Sequence, residues 1–149
     1  MAVLVYSVVR RHMKRTSDRA FTVFDGNGPL PLELSLAPGE SVVGWYQNPA
    51  PWERCLIVFT SEALYLADDG RIDRVPITDL VGYESPNSKA EVTGVRVLTT
   101  DGFRFVRVAG SFGPNGNQKD AYSFIMVVRA LIPGTPTISF QNAGADIKS

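Results

Sequence analysis

Cysteine and histidine are nearly absent from this sequence, in which Cys55 and His12 are the single examples of each. One cysteine excludes an internal disulfide bond and argues against a zinc site built from cysteines. A serine–histidine relay would depend on His12 alone, and that residue lies in a basic stretch far from any candidate nucleophile. We therefore predict a protein that is not an enzyme and that uses no metal or other cofactor.

Long apolar runs are also missing. The apolar stretch before Arg10 is much shorter than the roughly 20 residues that a membrane-spanning helix needs. Positive charge follows this stretch, whereas a secretory signal carries its positive charge in front. We expect a cytoplasmic protein and leave association with a membrane surface open.

The net charge is zero, but the charge is distributed unevenly along the chain. Residues 1–20 contain five basic residues and one acidic residue, a net charge of +4, and the rest of the chain carries −4. A nucleic-acid-binding domain usually has an excess of positive charge. We therefore expect no nucleic-acid partner.

The basic N-terminal segment, residues 3–15, has the spacing of a helix. Its valines favour a strand by intrinsic propensity. However, an apolar stripe with helical spacing (Val5, Val8, Val9, His12 and Met13) lies opposite the basic residues. We therefore predict a helix.

Arg10, Arg11, Lys14 and Arg15 form the basic part of this predicted helix. Three roles are open for them: docking on the acidic remainder of the chain, contact with an anionic membrane, or contact with a partner protein. They are our candidate residues for membrane or partner contact.

From residue 40 onward the sequence predicts short antiparallel strands and then one helix, whereas residues 16–38 are expected to form a connector. Asp69-Gly70 and Asp101-Gly102 are two-residue turns of the kind that closes β-hairpins. A stripe of apolar residues with helical spacing predicts the C-terminal helix over 118–132. The predicted strands cover residues 41–47, 53–61, 63–67, 71–77, 79–85, 94–100 and 103–110.

Four short stretches stand out in the strand region: Pro38-Gly39-Glu40, Thr60, Leu64-Tyr65 and Ile77-Thr78-Asp79-Leu80. Together with the order of the elements, they resemble the pleckstrin-homology (PH) superfamily, especially its GRAM-like and bacterial PH-like members. The resemblance implies a mainly β fold of the α+β class, a bent antiparallel barrel or sandwich of about seven strands that a C-terminal helix caps.

The same resemblance suggests how the chain is divided. We expect a basic segment and connector at 1–35, a PH-like domain at 36–134 and a C-terminal tail at 135–149.

Gly110, Gly113 and Gly116 lie between the last predicted strand and the C-terminal helix. A P-loop has lysine and then serine or threonine directly after its last glycine, but Asn117 follows Gly116. A dinucleotide-binding unit needs a further strand after the helix, and the sequence predicts none. We interpret this loop as a connector rather than a phosphate site.

The first hairpin of the strand region carries the candidate partner-binding residues Trp45, Tyr46 and Trp52. Exposed aromatic side chains beside prolines can bind a partner or insert into a membrane, and the alternative is that the tryptophans cover the open end of the barrel. The only base in this hairpin, Arg54, follows Glu53. Specific phosphoinositide recognition needs concentrated positive charge, so we do not expect it here.

These observations predict a non-enzymatic interaction module that binds a protein or peptide partner, for example by strand addition at an exposed edge between strand and helix. Peripheral binding of membrane lipid, as in GRAM and PH domains, is the alternative. A small enzyme on a PH-like scaffold is a third interpretation.

Overall fold

The computed structural model describes residues 2–16, 20–48, 54–68, 70–84, 94–108 and 119–132. These residues form two helices and eight strands, with a 3₁₀ turn at Ile77–Asp79. In chain order the helices and strands are α1 (Ala2–Met13), β1 (Phe21–Val23), β2 (Val42–Gln47), β3 (Leu56–Thr60), β4 (Ala63–Asp68), β5 (Arg71–Pro76), β6 (Leu80–Glu84), β7 (Val95–Thr99), β8 (Gly102–Val106) and α2 (Lys119–Leu131).

The strands form two antiparallel sheets, one in the order β1-β2-β3-β4-β5 and the other in the order β6-β7-β8. The prediction of a mainly β fold with a C-terminal helix is confirmed, and α2 lies within one residue of its predicted bounds. In the described residues the two sheets are separate and do not close into a barrel. Of the two predicted forms, a barrel or a sandwich, the barrel is therefore not the one observed.

Strand β1 corrects the prediction of a connector at 16–38. It pairs with β2 in the register Phe21↔Tyr46 and Val23↔Gly44. Gly44 permits this approach, since a Cβ there would lie 2.4 Å from the carbonyl oxygen of Thr22. A strand of three residues has too little alternation to be recognised from the sequence, and pairing with β2 stabilises it.

Helix α1 is present as predicted, and it packs on the rest of the domain. Val5, Val9 and Met13 are buried in the main core together with residues of α2. The helix ends where the hydroxyl of Thr16 donates to the carbonyl oxygen of Met13 at 2.6 Å. The predicted stripe on α2 is buried in the same core, with Phe124 6.3 Å from Phe59 of β3 between ring centroids.

A buried polar contact fixes the start of α2 against the first sheet. The hydroxyl of Tyr46 on β2 donates to Oδ2 of Asp120 at 2.7 Å, and both side chains are inaccessible to solvent. Burial and the neighbouring carboxylate raise the pKa of Tyr46, so the hydroxyl remains a donor at any ordinary pH.

A second buried polar group ties the segment before β2 to the first sheet. Pro38-Gly39 forms a turn in which the Glu40 N–H donates to the Ala37 carbonyl at 3.0 Å, and Gly39 has a φ of 83° that favours glycine. The turn directs the carboxylate of Glu40 inward, where its Oε1 accepts the N–H of Ala37 at 2.8 Å.

Three side chains of the sheet complete the contacts of this carboxylate. Thr60 at the end of β3 donates its hydroxyl to Glu40, and the hydroxyl of Tyr65 on β4 lies 3.2 Å from both carboxylate oxygens. Arg74 on β5 donates to Glu40 at 3.2 Å and to the hydroxyl of Tyr65 at 2.9 Å. We call these four residues, Glu40, Thr60, Tyr65 and Arg74, the Glu40 cluster.

The Glu40 cluster controls the pKa of its carboxyl group. Burial alone would raise the pKa of Glu40, but the hydrogen bonds from Thr60, the Ala37 amide and Arg74 outweigh burial and hold this pKa below its usual value. The carboxylate is therefore charged at neutral pH and fully paired.

We expect Glu40→Gln to lower the free energy of unfolding by about 3 kcal/mol, because the amide group cannot accept from all of the cluster's donors and leaves Arg74 without its anion. Urea unfolding measures the change. The control is Glu33→Gln at an exposed glutamate, which should change the free energy by less than about 0.5 kcal/mol. Equal effects of the two substitutions would contradict the role of the cluster.

The lowered pKa of Glu40 also predicts how stability depends on pH. A carboxyl group whose pKa is lower in the folded state stabilises the protein above its unfolded pKa, and this contribution is lost as the pH falls through the folded value. The difference in unfolding free energy between the wild type and Glu40→Gln should therefore shrink between about pH 7 and about pH 3. A difference that stays constant over this interval would show that the charge of Glu40 contributes nothing.

Candidate functional site: an arginine-lined cleft

The inner faces of β5 and β8 change from apolar to charged towards one end of the two sheets. On β5 the alternating positions run from the buried Val75 to Asp73 and then Arg71. On β8 the buried Val106 is followed on the same face by Arg104. Since alternate residues of a strand share a face, these charged side chains border the space between the sheets.

This space is a cavity of about 190 Å³ that we call the arginine cleft. Four arginines line it: Arg54 ahead of β3, Arg71 on β5, Arg104 on β8 and Arg107 just after β8. Its apolar lining comes from six residues: Cys55, Leu56, Leu66, Ala67, Phe105 and Val106. The thiol of Cys55 is buried and is not part of a disulfide.

Positive charge dominates the arginine cleft. Asp73 is the one carboxylate among its lining residues, and it forms an ion pair with Arg104 through Oδ2 and Nε. Asp101 also lies near Arg104, at 3.7 Å, but is largely exposed. Among the described lining residues, four guanidinium groups lie against one carboxylate, an excess of positive charge that suits an anionic ligand.

Two of the strands that line the cleft are edge strands. Strand β5 is last in the five-stranded sheet and β8 is last in the three-stranded sheet, so within the described part of the chain each has one neighbouring strand. Every second residue of such an edge strand turns its N–H and C=O away from its neighbour. Main-chain donors and acceptors are thus placed beside a cluster of arginines.

A second cavity of about 460 Å³, which we call the outer cavity, adjoins the arginine cleft at the same end of the first sheet. Leu56, Ala67 and Ile72 are cross-strand neighbours in its lining, and Pro31 and Leu32 form part of its wall. Five residues line both cavities: Arg54, Cys55, Leu56, Ala67 and Arg71. The cavities differ in that Asp73 and Arg104 line only the arginine cleft, whereas Ile72 and Leu32 line only the outer cavity.

The aromatic residues predicted from the first hairpin have different environments. Trp45 is half-buried on the outer face of the first sheet, packed against Val58 and Tyr65 and 6.0 Å from the ring of Phe24. Tyr46 is fully buried, so it presents no surface to a partner. Trp52 lies outside the described residues, as do the three glycines of the loop before α2.

The predicted contact residues at the end of α1 and directly after it are exposed. Arg10, Arg11, Lys14 and Arg15 all face solvent, and Arg10 donates to the hydroxyl of Tyr6 at 2.8 Å. None of the four lines the arginine cleft. The apolar side of α1 is packed in the core, so insertion of that side into a membrane would require the helix to detach.

Sequence analysis missed three of the four arginines of the cleft. Arg71, Arg104 and Arg107 lie far from the first hairpin in sequence, and the prediction about anionic ligands rested on the charge within that hairpin. For Arg71 and Arg104 the signal available was the alternation in "RIDRV" and "FRFVRV", which puts each of them on the same face as a core valine. Alternation does not indicate Arg107, whose guanidinium lies 5.8 Å from the ring centroid of Phe105.

Two exposed phenylalanines form a further surface feature. Phe103 and Phe105 lie on the outer face of β8, 53% and 43% exposed, and the guanidinium of Arg96 on β7 lies 4.6 Å from the ring centroid of Phe103. We call this the outer phenylalanine pair.

Comparison of the chain with protein-family models, curated proteins and solved structures finds no match. Among the described residues, no group of three or more histidine, cysteine, aspartate or glutamate side chains is placed to hold a metal ion. No described helix is long and apolar enough to cross a bilayer.

The Arg104–Asp73 pair should contribute modestly to stability, because each side chain is about one-third exposed. A double-mutant cycle with Arg104→Gln and Asp73→Asn should give a coupling of about 1 kcal/mol in urea unfolding. The matched control is Arg96–Glu84 on the second sheet, whose side chains are 48% and 56% exposed and whose coupling should be smaller. A larger coupling for the control pair would contradict our description of the cleft.

Proposed function

We propose that this chain is a non-enzymatic, PH-like interaction module that binds an extended, acidic segment of a partner protein. The segment pairs with the free edge of β5 and places its acidic side chains in the arginine cleft. The order of the elements and the Glu40 cluster support the PH-like assignment, because the cluster contains a residue from three of the four stretches of the PH resemblance.

One observation carries this proposal: four arginines from separate parts of the chain converge on a cleft that two edge strands line. An arginine forms a bidentate pair with a carboxylate and is therefore suited to acidic side chains. Strand addition uses main-chain hydrogen bonds for affinity and side-chain pockets for specificity. An extended acidic segment would form main-chain hydrogen bonds with the strand edge and pair its carboxylates with the arginines.

A protein segment fits the cleft better than a small anion alone. A small anion would pair with the guanidinium groups but would leave the adjacent main-chain groups of β5 to water. An extended peptide brings one N–H and one C=O for each residue, so that it can bond along the whole edge.

Peripheral membrane binding is the second candidate, and the exposed basic residues of α1 favour it. Arg10, Arg11, Lys14 and Arg15 offer positive charge to anionic lipid headgroups. Since the apolar side of α1 is packed in the core, this contact would be mainly electrostatic and sensitive to salt.

The first test is selection from a phage library of peptides of about ten residues, with the full chain as bait. We expect acidic sequences to be enriched, and their affinity to fall roughly tenfold or more in Arg71→Gln and in Arg107→Gln, because each substitution removes one charge from the cleft. The matched control is Arg129→Gln at an exposed arginine on α2, which should bind as the wild type does.

Three results would overturn the proposal: no enrichment of acidic peptides, binding by the cleft variants equal to that of the wild type, or loss of binding only in Phe103→Ser. The last result would move the site to the outer face of β8, because Phe103 does not line the cleft whereas Phe105 does. Salt-sensitive sedimentation with phosphatidylserine vesicles that is lost on neutralising the four basic residues of α1 would favour membrane binding instead.

A further inference from the structure

We infer that the bound segment alternates acidic residues with large apolar residues, which rests on the proposed function and narrows it to one class of sequence. The inference comes from the difference between the two faces of β5. Asp73 on one face of this strand lines only the arginine cleft, whereas Ile72 on the other face lines only the outer cavity.

The inner face of β5 is charged near its hairpin end. Arg71 and Asp73 line the arginine cleft there, and Arg104 lies across from Asp73. An acidic side chain on this side would meet the guanidinium of Arg71 and that of Arg104, which already forms an ion pair with Asp73. A basic side chain in the same place would add to the positive charge of the cleft.

The outer face of β5 is apolar at the same level. Ile72 projects to this side, 53% exposed, beside its cross-strand neighbour Ala67. Leu56 and Leu32 extend the apolar lining of the outer cavity. Its volume of about 460 Å³ accommodates a large aliphatic or aromatic side chain, and covering Ile72 would remove apolar surface from water.

The outer face offers little to an acidic side chain further along β5. Arg74 is the next residue on that face, and it already donates to Glu40 and to the hydroxyl of Tyr65. The Glu40 cluster therefore uses the cation that would otherwise attract acid to this side. The difference between the faces is thus a product of the fold as well as of the composition of β5.

A strand added to β5 must present its side chains to both faces in turn. Successive side chains of a strand point to opposite sides, and residues two apart share a side. Acidic residues at every second position would enter the arginine cleft, and the residues between them would meet Ile72 and the outer cavity. Alternation of acidic and apolar residues matches both faces at once, whereas a block of acidic residues matches one.

The test compares three synthetic peptides of about ten residues by fluorescence anisotropy against the full chain. The first alternates glutamate and leucine, the second has the same composition with its glutamates and leucines in separate blocks, and the third alternates glutamate and serine. We expect the first to bind roughly tenfold more tightly than the other two.

Two variants separate the faces. Ile72→Ser, at an exposed position, should remove most of the preference for leucine over serine while leaving the glutamate–serine peptide unaffected. Arg71→Gln should weaken all three peptides, since it lines both cavities. Circular dichroism of each variant checks that the fold is retained.

The outcomes distinguish this inference from the proposed function. If the glutamate–serine peptide binds as tightly as the glutamate–leucine peptide, the inference is wrong and the proposed function stands. The inference is also wrong if the blocked peptide binds as tightly as the alternating one. If none of the three binds, both are wrong.

Discussion

The buried carboxylate of Glu40 is the interaction on which the arrangement of the first sheet depends. It accepts hydrogen bonds from the preceding turn, from the end of β3 and from β5, and Tyr65 on β4 adds another contact. A buried charge is tolerated only when it is paired and hydrogen-bonded, so the positions of these segments are coupled. Arg74 holds the edge strand β5 in place, and this contact also fixes the position of the cleft that β5 lines.

The Glu40 cluster also distinguishes an arginine that stabilises the fold from the arginines that line the cleft. Along β5, Arg74 is committed to Glu40, whereas Arg71 lies on the opposite face and lines both cavities. Asp73 forms an ion pair with Arg104 and so neutralises one of the guanidinium charges in the cleft. The result is an edge strand whose hairpin end carries charged side chains on one face and Ile72 on the other, with one neighbouring strand in the described part of the chain.

Much of the fold could be predicted from the sequence, because its signals are local. The apolar stripe of α2 and the hairpin at Asp101-Gly102 are readable within a few residues. The helix is confirmed, and the hairpin is present with its turn one residue earlier than predicted, since Gly102 already pairs with Thr99. Strand β1 could not be recognised, since its three residues form a strand through pairing with β2. The site was missed for a related reason: Arg54 and Arg107 become neighbours only when the two sheets pack, and charge counted within one hairpin does not record that.

The central claim is that a peptide adds to the edge of β5, and amide hydrogen exchange with and without the alternating glutamate–leucine peptide tests it most directly. Pairing with a new strand should slow the exchange of those β5 amides that face the cleft, because they gain hydrogen bonds, while the exchange of amides in α1 stays unchanged. Slower exchange confined to α1 or to the outer face of β8, with β5 unaffected, would contradict the account.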